Sequence, residues 1–217
     1  MKIITKYFHE IKKLEFFLFI SLLYVLFSVL LNEFIIKDDL YYQTLGEQLA
    51  RERIEQLLEF KHKWDWIAYL IIPVILFFKF LFVALCLETG SILQGYKTSF
   101  KQMFHIAMFS ELVFLFAQML KTVVIALAKL EDLNELQYIA SFSLLSIINN
   151  KNIDPWFIYP LHTINIFEIL YWLFLAFILK TLLQKEYTRM IKFVLSTYGV
   201  GLLILLIVVM FINVNFS

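Results

Sequence analysis

Four charged side chains lie inside long apolar runs of the chain, where ionisable groups are uncommon. They are Lys79, Glu111, Lys121 and Glu168. If these runs are membrane helices, each charge near a helix centre costs at least ~2.5 kcal/mol on insertion scales. Such residues therefore pair with one another, line a polar path, or reach the interface through a long side chain. They are the candidate site residues.

The positions of these charges predict two intramembrane pairs. Lys79 lies about nine residues before the end of its run, and Glu111 about eight residues after the start of the next, so at ~1.5 Å per residue their depths nearly coincide in antiparallel helices. Lys121 and Glu168 match in the same way nearer the opposite face. Structural pairing and a polar path or partner site both remain open as explanations.

Other residue patterns predict no catalytic, cofactor or metal site. The chain lacks a GxSxG motif, and the glycine-containing stretch 90–99 lacks the pattern of a phosphate-binding loop. Cys86 is the only cysteine, so it cannot form an internal disulfide. The histidines are scattered without ligand spacing: His9, His62, His105 and His162. We expect a protein that is not an enzyme and uses no cofactor.

The composition is that of a membrane protein. Hydrophobic residues make up 61% of the 217 residues, aromatic residues 18%, and the mean hydropathy is +0.79. The net charge of +1 gives no general basic surface for nucleic acid. Because backbone polar groups in lipid must be satisfied internally, apolar runs of this length predict helices. The predicted fold class is all-α: a polytopic integral membrane helical bundle.

Five transmembrane helices, with one or two extramembrane amphipathic helices, are predicted along the chain. Residues 1–15 form a cytoplasmic amphipathic leader, and 16–217 form one transmembrane domain. The first apolar run is too long for a signal peptide and no small-residue cleavage site follows, so we expect it to be retained. Stretch 136–148 is predicted to be interfacial or re-entrant. The predicted spans are about 16–36, 66–87, 103–126, 162–183 and 193–212.

The charged segment 37–65 separates the first two spans. Oppositely charged residues recur four positions apart in the sequence, as in Arg51 and Glu55, and this spacing is typical of a helix surface. An apolar stripe on the same helix is formed by Ala50, Ile54, Leu57 and Leu58. The pattern predicts a helix on the bilayer surface or against the bundle, and a solvated helical hairpin is the alternative.

Basic residues predict the orientation. Lysine and arginine outnumber acidic residues in the leader, around 97–101 and around 180–192, whereas 37–65 and 129–154 carry more acidic than basic residues. With five spans, all three basic segments fall on one face. The positive-inside rule then puts the N-terminus in the cytoplasm and the C-terminus outside. We expect a bacterial cytoplasmic membrane.

The chain from about residue 66 onward shows a family resemblance. A span with Pro73 and Lys79 leads into the turn 95–104, 163–168 enters the fourth span, and 198–201 (Tyr-Gly-Val-Gly) lies in the fifth. From about residue 66 onward this arrangement resembles the Yip (Ypt-interacting protein) family, in its bacterial branch. The resemblance implies five helices and a cytoplasmic N-terminus. The chain lacks the long N-terminal region and DLYGP-type motif of eukaryotic members, so their GTPase partners are not implied.

Together these observations predict a non-enzymatic integral membrane protein that binds partners or organises membrane. Its expected partners are the lipid bilayer and other membrane proteins or a second copy of itself, and not nucleic acid. The alternative is a transporter or permease subunit, with the four charged residues lining a polar path through the bundle.

Overall fold

The described part of the chain is helical. A computed structural model describes residues 13–46, 48–128, 133, 142–148 and 154–216, and within these ranges there is no strand, only an isolated bridge between Ser143 and Asn165. The all-α prediction is confirmed. Most of the predicted leader and residues 136–141 of the predicted interfacial stretch lie outside the described residues.

Helices make up almost all of the described ranges. The α-helices are Lys13–Val29, Asp38–Leu45, Arg51–Leu93, Phe100–Ser110, Leu112–Leu127, Leu144–Ile148, Pro155–Thr163, Ile166–Leu183, Tyr187–Val194 and Val200–Phe216. Two π-helical segments, Leu30–Ile35 and Leu195–Gly199, continue the helices that precede them. The short Leu144–Ile148 helix lies in the described part, 142–148, of the stretch predicted to be interfacial.

Five of the described helical segments are long and apolar enough to cross a membrane, which confirms the predicted number of spans. We call them the first to fifth spans in chain order: Lys13–Glu33, Arg51–Leu93, Phe100–Leu127, Ile166–Leu183 and Tyr187–Asn215. Lys79, Glu111, Lys121 and Glu168 all lie within these spans, on the second, third, third and fourth respectively.

The second span is much longer than predicted. Arg51–Leu93 is one helix of 43 residues, about 65 Å at ~1.5 Å per residue, whereas a hydrocarbon core is ~30 Å thick. The charged N-terminal part of this helix therefore extends beyond the apolar, membrane-spanning part. The expectation of a separate helix on the bilayer surface is wrong for residues 51–65, because favourable i,i+4 charge pairs and the absence of glycine or proline between residues 51 and 72 let the helix continue. The alternative of a helical hairpin agrees with the structure.

A second helix packs against this extension. Ile54 and Leu58 are buried, whereas Leu57 of the predicted apolar stripe is 47% exposed. His62 Nε2 lies 3.2 Å from Asp38 Oδ2, which joins the extension to the 38–45 helix. We call residues 38–65 the extramembrane hairpin.

The apolar core lies in the half of the bundle that contains the connections 94–99 and 184–186. Its fully buried side chains come from all five spans: Ile20, Phe80, Leu87, Met103, Ile106, Leu175, Leu179 and Phe193. The second and fifth spans approach closely at glycines. A Cβ on Gly90 would overlap the side chain of Thr197, and one on Gly201 would lie 2.5 Å from Cys86 Sγ. Small residues at such positions allow two helix backbones to approach closely.

Candidate functional site

The structure brings Lys79 and Glu111 together, as their depths predicted. Lys79 Nζ donates to Glu111 Oε1 at 2.8 Å between the second and third spans. The side chain of Glu111 is 1% exposed and that of Lys79 is 31% exposed. The carboxylate is therefore enclosed by the bundle, whereas the ammonium group keeps an open side.

Local structure sets the depth of Glu111. The third span begins with a capping box, in which Gln102 Oε1 accepts the backbone N–H of Ser99 at 3.0 Å. Glu111 stands between the two α-helical segments of this span, and its N–H is shared by the carbonyls of Ala107 and Met108 at 3.2 and 3.3 Å. The span thus continues through Glu111, with its side chain turned into the bundle.

Two aromatic side chains complete the environment of this ion pair. Tyr24, on the first span, donates its hydroxyl to Glu111 Oε1 at 2.8 Å. Lys79 Nζ lies 3.7 Å from the ring centroid of Phe114, a cation–π contact. Glu111 Oε2 is buried and accepts no hydrogen bond from the described residues. The sequence did not single out Tyr24, since tyrosines in membrane helices more often face the interface.

Glu168 does not pair with Lys121. Instead, Glu168 Oε1 accepts the indole N–H of Trp172 at 2.7 Å and the hydroxyl of Tyr198 at 2.9 Å. Among the described residues, no cation lies within ion-pair distance of Glu168; Lys79 acts on it only at longer range. The second predicted pair is therefore wrong, because depth along the membrane normal does not fix the direction in which a side chain points around its helix.

The N-terminus of the fourth span positions Glu168. Asn165 is the N-cap, and its side-chain oxygen accepts the backbone N–H of Glu168 at 2.8 Å. Glu168 therefore lies in the first turn, facing inward and 7% exposed. Trp172 follows four residues later, one turn along the same face. This i,i+4 spacing was the one sequence signal that could have pointed to Trp172.

Tyrosine rings connect the two carboxylate environments. The ring of Tyr171 lies 4.9 Å from that of Phe114 and 5.6 Å from that of Tyr198, measured between centroids. Each of the five spans therefore contributes to one polar cluster: Tyr24, Lys79, Glu111, Glu168 and Tyr198. We call this set the intramembrane cluster.

Two cavities meet at Lys79. The smaller, of ≈380 Å³, is lined by Glu111 and Lys121, and the larger, of ≈590 Å³, is lined by Glu168. Both also reach Asn165 at the start of the fourth span, whereas the apolar core lies toward the opposite end of the bundle. The described residues hold no cluster of three or more potential metal ligands. The two cavities, each lined by charged side chains, are able to bind a small charged or polar molecule.

Comparison of the chain with protein-family models, with curated proteins and with solved structures gave no match.

Proposed function

We propose that this chain is a non-enzymatic integral membrane protein of the Yip type, which acts by binding a partner at its extramembrane hairpin. The resemblance of residues 66 onward to that family supports the proposal, together with the five spans of the bundle. We further propose a bacterial cytoplasmic membrane, with the N-terminus inside and the hairpin and C-terminus outside. The distribution of basic residues supports this orientation.

The observation that carries the proposal is an exposed apolar stripe on a well-anchored helix. Leu57, Phe60 and Trp64 share one face of the extension, at spacings of three and four residues, and are 47%, 66% and 43% exposed. The helix that carries them continues without a break into the apolar part of the second span. Exposed aromatic side chains on a fixed helix are typical of partner-binding surfaces.

Contacts between its two helices hold the hairpin in place. Lys61 Nζ lies 5.5 Å from the ring centroid of Tyr41, and Arg51 lies 5.8 Å from that of Tyr42. These cation–π contacts add to the burial of Ile54 and Leu58 described above. A preorganised surface loses less conformational entropy when a partner binds.

Site-specific photocrosslinking in cells tests this proposal. A photoreactive phenylalanine analogue at Phe60 is expected to capture a discrete partner, whereas the same analogue at Glu55, on the opposite face, is the matched control. The double variant Phe60→Ser/Trp64→Ser should lose co-purification of that partner and reproduce the phenotype of a deletion. Identical capture at both positions, or full activity of the double variant, would contradict the proposal.

The intramembrane cluster favours a second candidate, a transporter or permease subunit. The observation behind it is that two cavities meet at Lys79 and that each contains one buried carboxylate. Transport or proton relay would require an ionisable side chain at Glu111 or Glu168. A well-folded Lys79→Met/Glu111→Gln variant that keeps partner binding but loses biological activity would favour this candidate, as would co-purification with an ATPase.

A further inference from the structure

The larger cavity combines a carboxylate with an aromatic wall. Glu168 lines it from the fourth span and Tyr198 from the fifth. Phe78 and Phe82 contribute from the second span, and Tyr159 from the helix before the fourth. Aromatic faces carry negative electrostatic potential and attract cations, most strongly where water is excluded.

The charges around this cavity do not balance. Lys79 is neutralised by Glu111, with which it forms an ion pair of 2.8 Å. Glu168 receives only neutral donors, the indole of Trp172 and the hydroxyl of Tyr198. Both bind the same oxygen, and Glu168 Oε2 accepts no hydrogen bond from the described residues. Glu168 Oε2 is therefore able to interact with a ligand, at the wall of a cavity of ≈590 Å³.

We propose that the larger cavity binds an organic cation, an ammonium group on an apolar body, with Glu168 as its counter-ion. The rings of Phe78, Tyr159 and Tyr198 surround the ammonium group, and the apolar body lies along Leu202 and Leu205 of the fifth span. The same ammonium chemistry belongs to a free amphipathic amine and to the headgroup of a zwitterionic lipid. This site goes beyond the partner-binding function proposed for the hairpin and does not depend on it.

Binding of benzyltrimethylammonium to the full-length protein in a non-ionic detergent tests the inference. Its neutral carbon isostere, neopentylbenzene, has the same shape without the charge. We expect the cation to raise the melting temperature and to titrate saturably in calorimetry, and the isostere to do neither. Equal effects of both compounds would show simple apolar partitioning and overturn the proposal.

Variants locate the site. Glu168→Gln retains an acceptor for Trp172 and Tyr198 but loses the charge, and should weaken binding of the cation by about tenfold or more. Glu33→Gln, an exposed carboxylate elsewhere, is the control and should bind normally. If Glu168→Gln does not fold, Phe78→Leu provides a second test, with binding reduced about two- to thirtyfold. Normal affinity in the folded Glu168→Gln or Phe78→Leu variant would overturn the proposal.

The source of the cation is resolved in nanodiscs. With phosphatidylglycerol alone, the probe should bind as it does in detergent, and failure to bind there would contradict the site. If added phosphatidylethanolamine competes with the probe, the natural ligand is a lipid headgroup. If it does not compete, the site takes a free amine. Either result is consistent with a cation site.

Discussion

Replacing Lys79 with methionine removes the ammonium group from Glu111 while keeping an unbranched apolar side chain of similar length. Glu111 would then be a buried carboxylate with the Tyr24 hydroxyl as its remaining described donor, since Oε2 has no partner. Leaving a buried charge without its partner costs ~3–5 kcal/mol. The Lys79 side chain is 31% exposed and lines both cavities, so the pair is not fully enclosed and we expect the lower end, about 3 kcal/mol.

The reverse substitution should cost less. In Glu111→Gln the ammonium group keeps the ring of Phe114 at 3.7 Å and an open side toward both cavities. We expect a loss of about 1–2 kcal/mol. In the double variant Lys79→Met/Glu111→Gln neither charge is stranded, so part of the loss should be recovered, with a coupling energy of about 1–3 kcal/mol.

The free energy of unfolding can be measured by titrating sodium dodecyl sulfate into protein in mixed micelles and following far-ultraviolet circular dichroism. Lys101→Met, an exposed lysine at the start of the third span, is the matched control and should change stability by less than about 0.5 kcal/mol. Additive losses in the double variant, within about 0.5 kcal/mol, would refute the pairing. Equal losses in the two single variants would refute the argued difference in burial.

Three further predictions concern orientation and packing. In a cysteine-free background, a membrane-impermeant thiol reagent applied to intact cells should label a cysteine at Gln48 and not one at Ser99; the reverse pattern would invert the topology. Gly90→Ala should destabilise the bundle by about 1–3 kcal/mol, because the new methyl group overlaps Thr197; an unchanged unfolding curve would show that the two spans are not so close. Tyr24→Phe should cost about 1.5–3 kcal/mol in the same unfolding assay, since it removes a hydrogen bond to a buried carboxylate, and a neutral result would contradict that bond.

Hydropathy and the helical rise per residue were sufficient to predict the number of spans and one of the two charge pairs. Lys79 and Glu111 follow each other across a short turn, so their helices are antiparallel neighbours, and a depth match is nearly enough to bring them together. Lys121 and Glu168 are separated by a long stretch of chain. Their equal depth does not determine the direction in which each side chain points around its helix. The structure turns Glu168 toward Trp172 and Tyr198.

The extramembrane hairpin shows a different limit of prediction from the sequence. Charge density at 51–65 was interpreted as a separate element, because so many charged residues together are too costly to place in the hydrocarbon core. A helix, however, ends where its backbone is interrupted and not where the membrane ends, so Arg51–Leu93 continues across that boundary. The surface formed by Leu57, Phe60 and Trp64 depends on the tertiary structure, which buries Ile54 and Leu58 and leaves these three side chains exposed.

The sequence by itself determined the all-α class, the number of spans and the depth of each intramembrane charge, because these depend on local apolar length and on a fixed rise per residue. Apart from the Lys79–Glu111 pair, only the tertiary structure decided which side chains meet. Tyr24 reaches Glu111, and Tyr198 reaches Glu168, because of the order and rotation of helices around the bundle, which no local pattern encodes. The two cavities likewise arise where side chains from several spans fail to fill the space between them, a property of packing in three dimensions.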